Sequence, residues 1–191
     1  MKAVVTFQGF TESDERPTGT EDLYFSVVRQ FAGPYVTTYQ PRRWNSDSKA
    51  LAEQLVRQRI HDVIVLAYSW GAGYQCMKFA KIGRQYWIRI PLALHCDPVY
   101  RPTWMPGWLP ANPLNIYSID RRSKIKLPPA IRRAVYVRQE LSIPNGHQLV
   151  AEHPGQVAEC RAVLPYGHTG IDECPEWFTI VRNELEFELT Q

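Results

Sequence analysis

Residues 63–67 read Val-Ile-Val-Leu-Ala, five apolar positions with no polar alternation. A strand with one face in water alternates between apolar and polar. One that is apolar throughout is buried on both faces, as a central strand of a parallel sheet is. The next residues restrict the chain further. Ser69 lies between Ala67, two positions before it, and Gly71, two after, and residues 72–83 have helical spacing. A strand can pass into a helix through so sharp a turn only if the flanking positions are small, because larger side chains there would collide.

The rest of the chain repeats this alternation. Residues 2–8 read as a strand. Residues 21–31 read as a helix with Leu23, Val27, Val28 and Phe31 on one face, entered at Thr20 and Asp22 and stopped by Gly33-Pro34. Residues 35–40 are a second strand. Residues 47–60 are amphipathic, with Leu51, Leu55, Val56 and Ile60 inward, and residues 88–95 form the strand after the turn at Ser69. A βαβαβαβ order predicts a three-layer α/β sandwich, with a mostly parallel central sheet and right-handed crossovers. Further on, residues 134–138 read as a strand. Residues 147–152 and 157–164 read as a hairpin across His153-Pro154-Gly155-Gln156, and residues 175–189 as a terminal helix carrying Trp177, Ile180, Val181 and Leu185. One domain, 1–191, is expected, interrupted at 98–130 by a Pro/Trp-rich insertion without regular period. Its Trp104, Met105 and Trp108 are a candidate lid or acyl-binding wall, or else a satellite core.

The composition excludes several classes. A net charge of +3 is well short of a nucleic-acid footprint, and the densest basic run, residues 121–126, reads as a solvated loop face. No apolar run is long enough for a membrane span, and the start of the sequence lacks the apolar core of a signal peptide, so a cytoplasmic protein without integral membrane association is expected. The cysteines, Cys76, Cys96, Cys160 and Cys174, show no metal-ligand spacing, and no metal or cofactor is expected. A bridge between Cys160 and Cys174 stays open.

In a parallel sheet, chemistry gathers beyond the carboxyl ends of the strands. Ser69 falls there. So does Asp97, directly after the strand 88–95, with Pro98 ending that strand. His168 lies in Tyr166-Gly167-His168-Thr169-Gly170, a loop whose glycines allow the tight bends that aim a side chain. A serine nucleophile needs a base, and the base an orienting acid. The order Ser69, Asp97, His168 supplies all three. His95 is a second candidate base. Asp172 reads as a cap near the terminal helix.

These residues resemble the α/β-hydrolase superfamily in a compact form, similar to small bacterial and phage serine esterases, including cutinase-like enzymes. The resemblance rests on the elbow at Ser69, on His95-Cys96-Asp97-Pro98-Val99, and on His168-Thr169-Gly170-Ile171-Asp172 before a terminal helix. It implies that Ser69 is acylated, that His168 acts as general base and then acid, and that Asp97 orients the imidazole. It also implies an oxyanion hole built from the backbone N–H groups of Trp70 and of Phe10, after the first strand. The chain departs from the family in having Ala67 where glycine is commonest. Many members also carry the acid one strand later, where Glu140 stands. The expected substrate is a small-molecule or lipid-like acyl ester or thioester, cleaved without a cofactor. An acyltransferase with the same residues, or a binding protein that keeps the fold without the chemistry, are the alternatives.

Overall fold

The computed structural model describes residues 1–10, 19–100 and 124–190. The elements are β1 (Lys2–Phe7), α1 (Gly19–Ser26), β2 (Val36–Thr38), α2 (Ser48–Arg57), β3 (Asp62–Tyr68), α3 (Cys76–Gln85), β4 (Ile90–Cys96), β5 (Lys124–Lys126), β6 (Ile131–Arg138), β7 (Gln148–Val150), β8 (Val157–Val163) and α4 (Pro175–Thr190). Among the described residues, six strands form one sheet in the order β2-β1-β3-β4-β6-β8, and every pairing in it is parallel. The expected three-layer α/β architecture is therefore present.

The sequence pattern explains the layers. On β3, Val63, Val65 and Ala67 point to the face covered by α2 and α3, where Leu51, Leu55 and Phe79 meet them. Ile64, Leu66 and Tyr68 point to the opposite face, against Leu23 and Tyr24 of α1 and Trp177, Val181 and Leu185 of α4. Val63 to Leu66 are fully buried, as an unalternating apolar run requires. Each such aliphatic side chain contributes about 1.5–3 kcal/mol relative to exposure. Asp47 caps α2, its side chain accepting from the N–H groups of Lys49 (2.8 Å) and Ala50 (3.1 Å).

The C-terminal part corrects two expectations. Residues 147–164 do not form a hairpin: β7 pairs with β5 in a separate two-stranded parallel sheet, and β8 pairs with β6. Both chain segments turn a corner between the small sheet and the large one. The Gln156 side chain stitches the corners together. Its Nε2 donates to Pro128 O (2.9 Å) and Ile131 O (2.8 Å), while its Oε1 accepts from the N–H groups of Glu152 and His153. Within the insertion assigned to 98–130, residues 124–126 are strand β5, not irregular chain. The helix expected over 21–31 is α1 followed by a 3₁₀ turn, Val28–Phe31.

One extra residue, Arg161, bulges from β8 between the pairs Tyr136↔Cys160 and Val137↔Ala162. Its guanidinium reaches Glu184 of α4 (2.7 Å), which also accepts from Arg133 (2.6 Å), so the terminal helix docks by charge as well as by its apolar face. All four cysteines are free thiols. Among the described residues no helix is long and apolar enough to cross a membrane.

Candidate active site

Three polar side chains meet beyond the carboxyl ends of the strands. Ser69 follows β3, Asp97 follows β4, and His168 lies in the loop between β8 and the 3₁₀ turn Ile171–Glu173. Ser69 Oγ is 2.9 Å from His168 Nε2, and His168 Nδ1 is 2.5 Å from Asp97 Oδ2. An ionised carboxylate only accepts, so the proton of the second contact belongs to Nδ1. That leaves Nε2 as the acceptor for the serine hydroxyl.

Local structure explains the placement. Ser69 has φ 53°, the left-handed region that side chains other than glycine avoid. β3 thus turns abruptly into a π-helical turn, Gly71–Gln75, that leads into α3. Small residues are required here. A Cβ on Gly71 would overlap the carbonyl oxygens of Phe7 and Gln8, and one on Gly73 would overlap that of Val99. The helix start is therefore wedged between the exit loops of β1 and β4. Asp97 also has positive φ, 44°, and is fully buried. Its N–H donates to Val137 O of β6 (2.9 Å), which fixes the backbone at the turn.

His168 is gripped from three sides. Tyr68 stacks on its ring at 5.2 Å between centroids and donates its hydroxyl to the His168 carbonyl (2.5 Å). The His168 N–H donates to Ser142 Oγ (2.7 Å). Asp97 holds the ring by Nδ1, as above. On the acid side, the Gln139 backbone N–H donates to Asp97 Oδ1 (3.0 Å) and its Nε2 donates to Oδ2 (3.1 Å).

Of the expected residues, Ser69, His168 and Asp97 come together. Glu140 does not join them; it is half exposed and pairs with Arg138 at 2.7 Å. His95 is not a base for Ser69. It is fully buried on β4, neither ring nitrogen has a hydrogen-bond partner among the described residues, and burial pushes its pKa down to about 3. Asp172 packs against Gly19 at the start of α1. The Gln8-Gly9-Phe10 loop lies against the elbow: a Cβ on Gly9 would come 3.2 Å from Ser69 Cβ. The Phe10 and Trp70 rings, 4.6 Å apart, join Trp44 (4.9 Å from Trp70) in an aromatic cluster behind the serine. Trp104, Met105 and Trp108 lie outside the described residues. Sequence reasoning missed Tyr68, Gln139 and Ser142. Among the described residues, no group of three or more His, Cys, Asp or Glu side chains is placed to hold a metal ion.

No family model matches this chain, and no curated protein matches it. Solved structures do. The crystal structure of wild-type Cfl2 from Burkholderia cenocepacia superposes with a TM-score of 0.50 at 16% identity, over 98% of this chain and 87% of that one. At that identity the likeness shows a shared fold and nothing of activity.

Proposed function

We propose that the protein is a serine hydrolase of the α/β-hydrolase kind, cleaving a carboxylic ester or thioester through an acyl-enzyme. The observation that carries this reading is the unbroken chain Ser69 Oγ–His168 Nε2 and His168 Nδ1–Asp97 Oδ2, at 2.9 and 2.5 Å, with its serine on a left-handed elbow. A serine, a histidine and an aspartate have no need of this alignment for packing alone.

Ser69 Oγ attacks the acyl carbon while its proton passes to His168 Nε2. Asp97 stabilises the resulting imidazolium without taking the proton. The carbonyl π electrons move onto oxygen, and the N–H groups of Trp70 and Phe10 receive that charge at the mouth of the elbow. Losing one such donor costs about 10²–10³ in kcat. The tetrahedral adduct collapses, the bond to the leaving oxygen or sulfur breaks, and His168 returns the proton to it. Water then repeats the sequence on the acyl-enzyme and frees the acid. Phe10, the partly exposed member of the cluster with Trp44 and Trp70, offers apolar surface beside the elbow, which suits a small-molecule or lipid-like ester.

A fluorophosphonate probe tests the reading. Mass spectrometry is expected to find the label on Ser69 of the folded protein and no label in Ser69→Ala. Turnover of p-nitrophenyl butyrate is expected to fall by about 10⁴-fold or more in that variant. A folded wild-type protein that stays unlabelled at Ser69, or equal turnover by both proteins, would sink it.

A further inference from the structure

Asp97 presents a problem that the three-residue chain does not solve. Its carboxylate is fully buried, and among the described residues no lysine or arginine pairs with it. A buried anion without a cation needs hydrogen-bond donors. Besides His168, both that it receives come from one residue, Gln139, through the backbone N–H on Oδ1 and the side-chain Nε2 on Oδ2.

We propose that Gln139 is a positioning residue that holds the acid and the base as one unit, gripping Asp97 directly and His168 through Ser142. The inference rests on the reading of Ser69, His168 and Asp97 given above. The Gln139 amide is fully buried and used at both ends. Nε2 faces Asp97 Oδ2 and also the carbonyls of Ser142 (3.1 Å) and Pro144 (2.8 Å). Oε1 accepts from the N–H groups of Leu141 and Ser142, both at 2.8 Å. A flipped amide would set its oxygen against the carboxylate and its NH₂ against two donors, so the orientation is fixed. Ser142, folded around the amide by these bonds, offers its Oγ to the His168 N–H at 2.7 Å. The polar path therefore runs Asp97, Gln139, Ser142, His168, and back to Asp97. An amide side chain of this length donates to an anion at one end and accepts from backbone at the other whatever the pH. Gly146 closes the opposite side: a Cβ there would overlap Asp97 Oδ1.

Other titratable or charged groups lie on the elements around the pair. Tyr68 from β3 stacks on the His168 ring, the Arg138–Glu140 ion pair flanks Gln139 in the chain, and His147 follows Gly146, which packs against Asp97. The Nδ1 of His147 accepts from the Tyr100 N–H, and the backbone N–H of His147 donates to Pro98 O. These groups are the same in every variant below.

The test compares wild type, Gln139→Leu, Gln139→Glu and Ser142→Ala, each first checked for folding by circular dichroism and melting. In Gln139→Leu, kcat for p-nitrophenyl butyrate is expected to fall about 100-fold with KM changed less than about twofold. The acid limb of its kcat/KM profile is expected to move to higher pH, because losing a donor to the anionic His168–Asp97 pair makes that pair hold a proton more tightly. Gln139→Glu donates to Asp97 while protonated and repels it once ionised. It is expected to be active between its acid limb and a new alkaline limb absent from wild type. Ser142→Ala is expected to lower kcat without moving either limb. A folded Gln139→Leu with wild-type kcat and an unmoved acid limb overturns the proposal. If Gln139→Leu does not fold, a Gln139→Glu profile without the alkaline limb overturns it.

Fluorophosphonate labelling of the wild type separates the two claims. Labelling on Ser69 with indifferent Gln139 variants sinks only the clamp. Without labelling, the low-field proton NMR resonance of the His168–Asp97 hydrogen bond still reads it. An unchanged resonance in Gln139→Leu and Gln139→Glu counts against the clamp, and a lost or shifted one supports it.

Discussion

Ser69 occupies backbone that L side chains avoid, at φ 53°, and that strain is held in place by the packing of Gly71 and Gly73 against neighbouring carbonyls. A non-glycine residue in this region costs about 1–2 kcal/mol. Ser69→Gly is therefore expected to raise stability by up to about 1 kcal/mol, after allowing for the greater freedom of glycine in the unfolded chain. Ser69→Ala, which keeps the Cβ, should change stability by less than about 0.5 kcal/mol. Both should abolish turnover. Urea denaturation of the three proteins checks this, and a Ser69→Gly midpoint at or below that of Ser69→Ala would show that the elbow is not strained. Ser69, Asp97 and His168 were legible because each is a polar residue just past an apolar strand or between glycines, and their order is informative. Gln139 was not. It stands between Arg138 and Glu140 and reads as a polar strand end. Only the pairing of β4 with β6, which aligns Cys96 with Val137, brings it beside Asp97. Tyr68 was hidden for the opposite reason, since within an apolar strand an aromatic ring reads as core.

At the scale of elements, the order of strands and helices up to residue 96 could be read off apolar period and stop residues, the 3₁₀ turn Val28–Phe31 apart, because each crossover is local and β1, β3 and β4 are buried as the sequence marks them. The last strands could not. The segment His153-Pro154-Gly155-Gln156 does turn, with Gly155 at φ 80°, and a turn between two short strand patterns reads as a hairpin. Turn chemistry predicts where the chain bends but not which strands pair. Here the partner of β7 is β5, a three-residue strand emerging from a proline-rich stretch, and the partner of β8 is β6. The side chain of Gln156 takes up backbone groups from both corners: Pro128 and Ile131 on one, Glu152 and His153 on the other. Gln156→Leu removes four contacts and strands the two carbonyls at a partly buried corner. It is expected to cost about 1–3 kcal/mol and to open the corner locally. Hydrogen exchange should then speed up in residues 124–131 and 148–157 while β1 and β3 stay protected. Unchanged exchange at those corners would mean that packing, not Gln156, holds them.

For the molecule as a whole, two buried groups contribute to the fold's response to acid. At Glu184 burial pushes the carboxyl up, but the hydrogen bonds from Arg133 and Arg161 outweigh it and hold the group below its ordinary value of 4.5. That contribution is complete above 4.5 and is lost as the pH falls through the lowered folded value. His95 acts earlier. Burial alone pushes it down from 6.5 to about 3, and among the described residues its ring has no hydrogen-bond partner to offset a charge. Above pH 6.5 neither folded nor unfolded chain protonates it. Below 6.5 the unfolded chain takes a proton that the folded one refuses, so stability falls with pH until about 3. The slope approaches about 1.4 kcal/mol per pH unit. His95→Leu removes that refusal together with two unpaired buried nitrogens. Its stability at pH 7 is expected to equal or exceed that of wild type by about 1 kcal/mol. Between pH 6.5 and 4 it should lose stability less steeply. The other histidines and Glu184 are common to both proteins and cancel in the difference. Urea midpoints at pH 7, 6, 5 and 4 measure it, and curves that run parallel over that range would show that His95 is charged in the fold after all, with a partner that accepts its proton's charge.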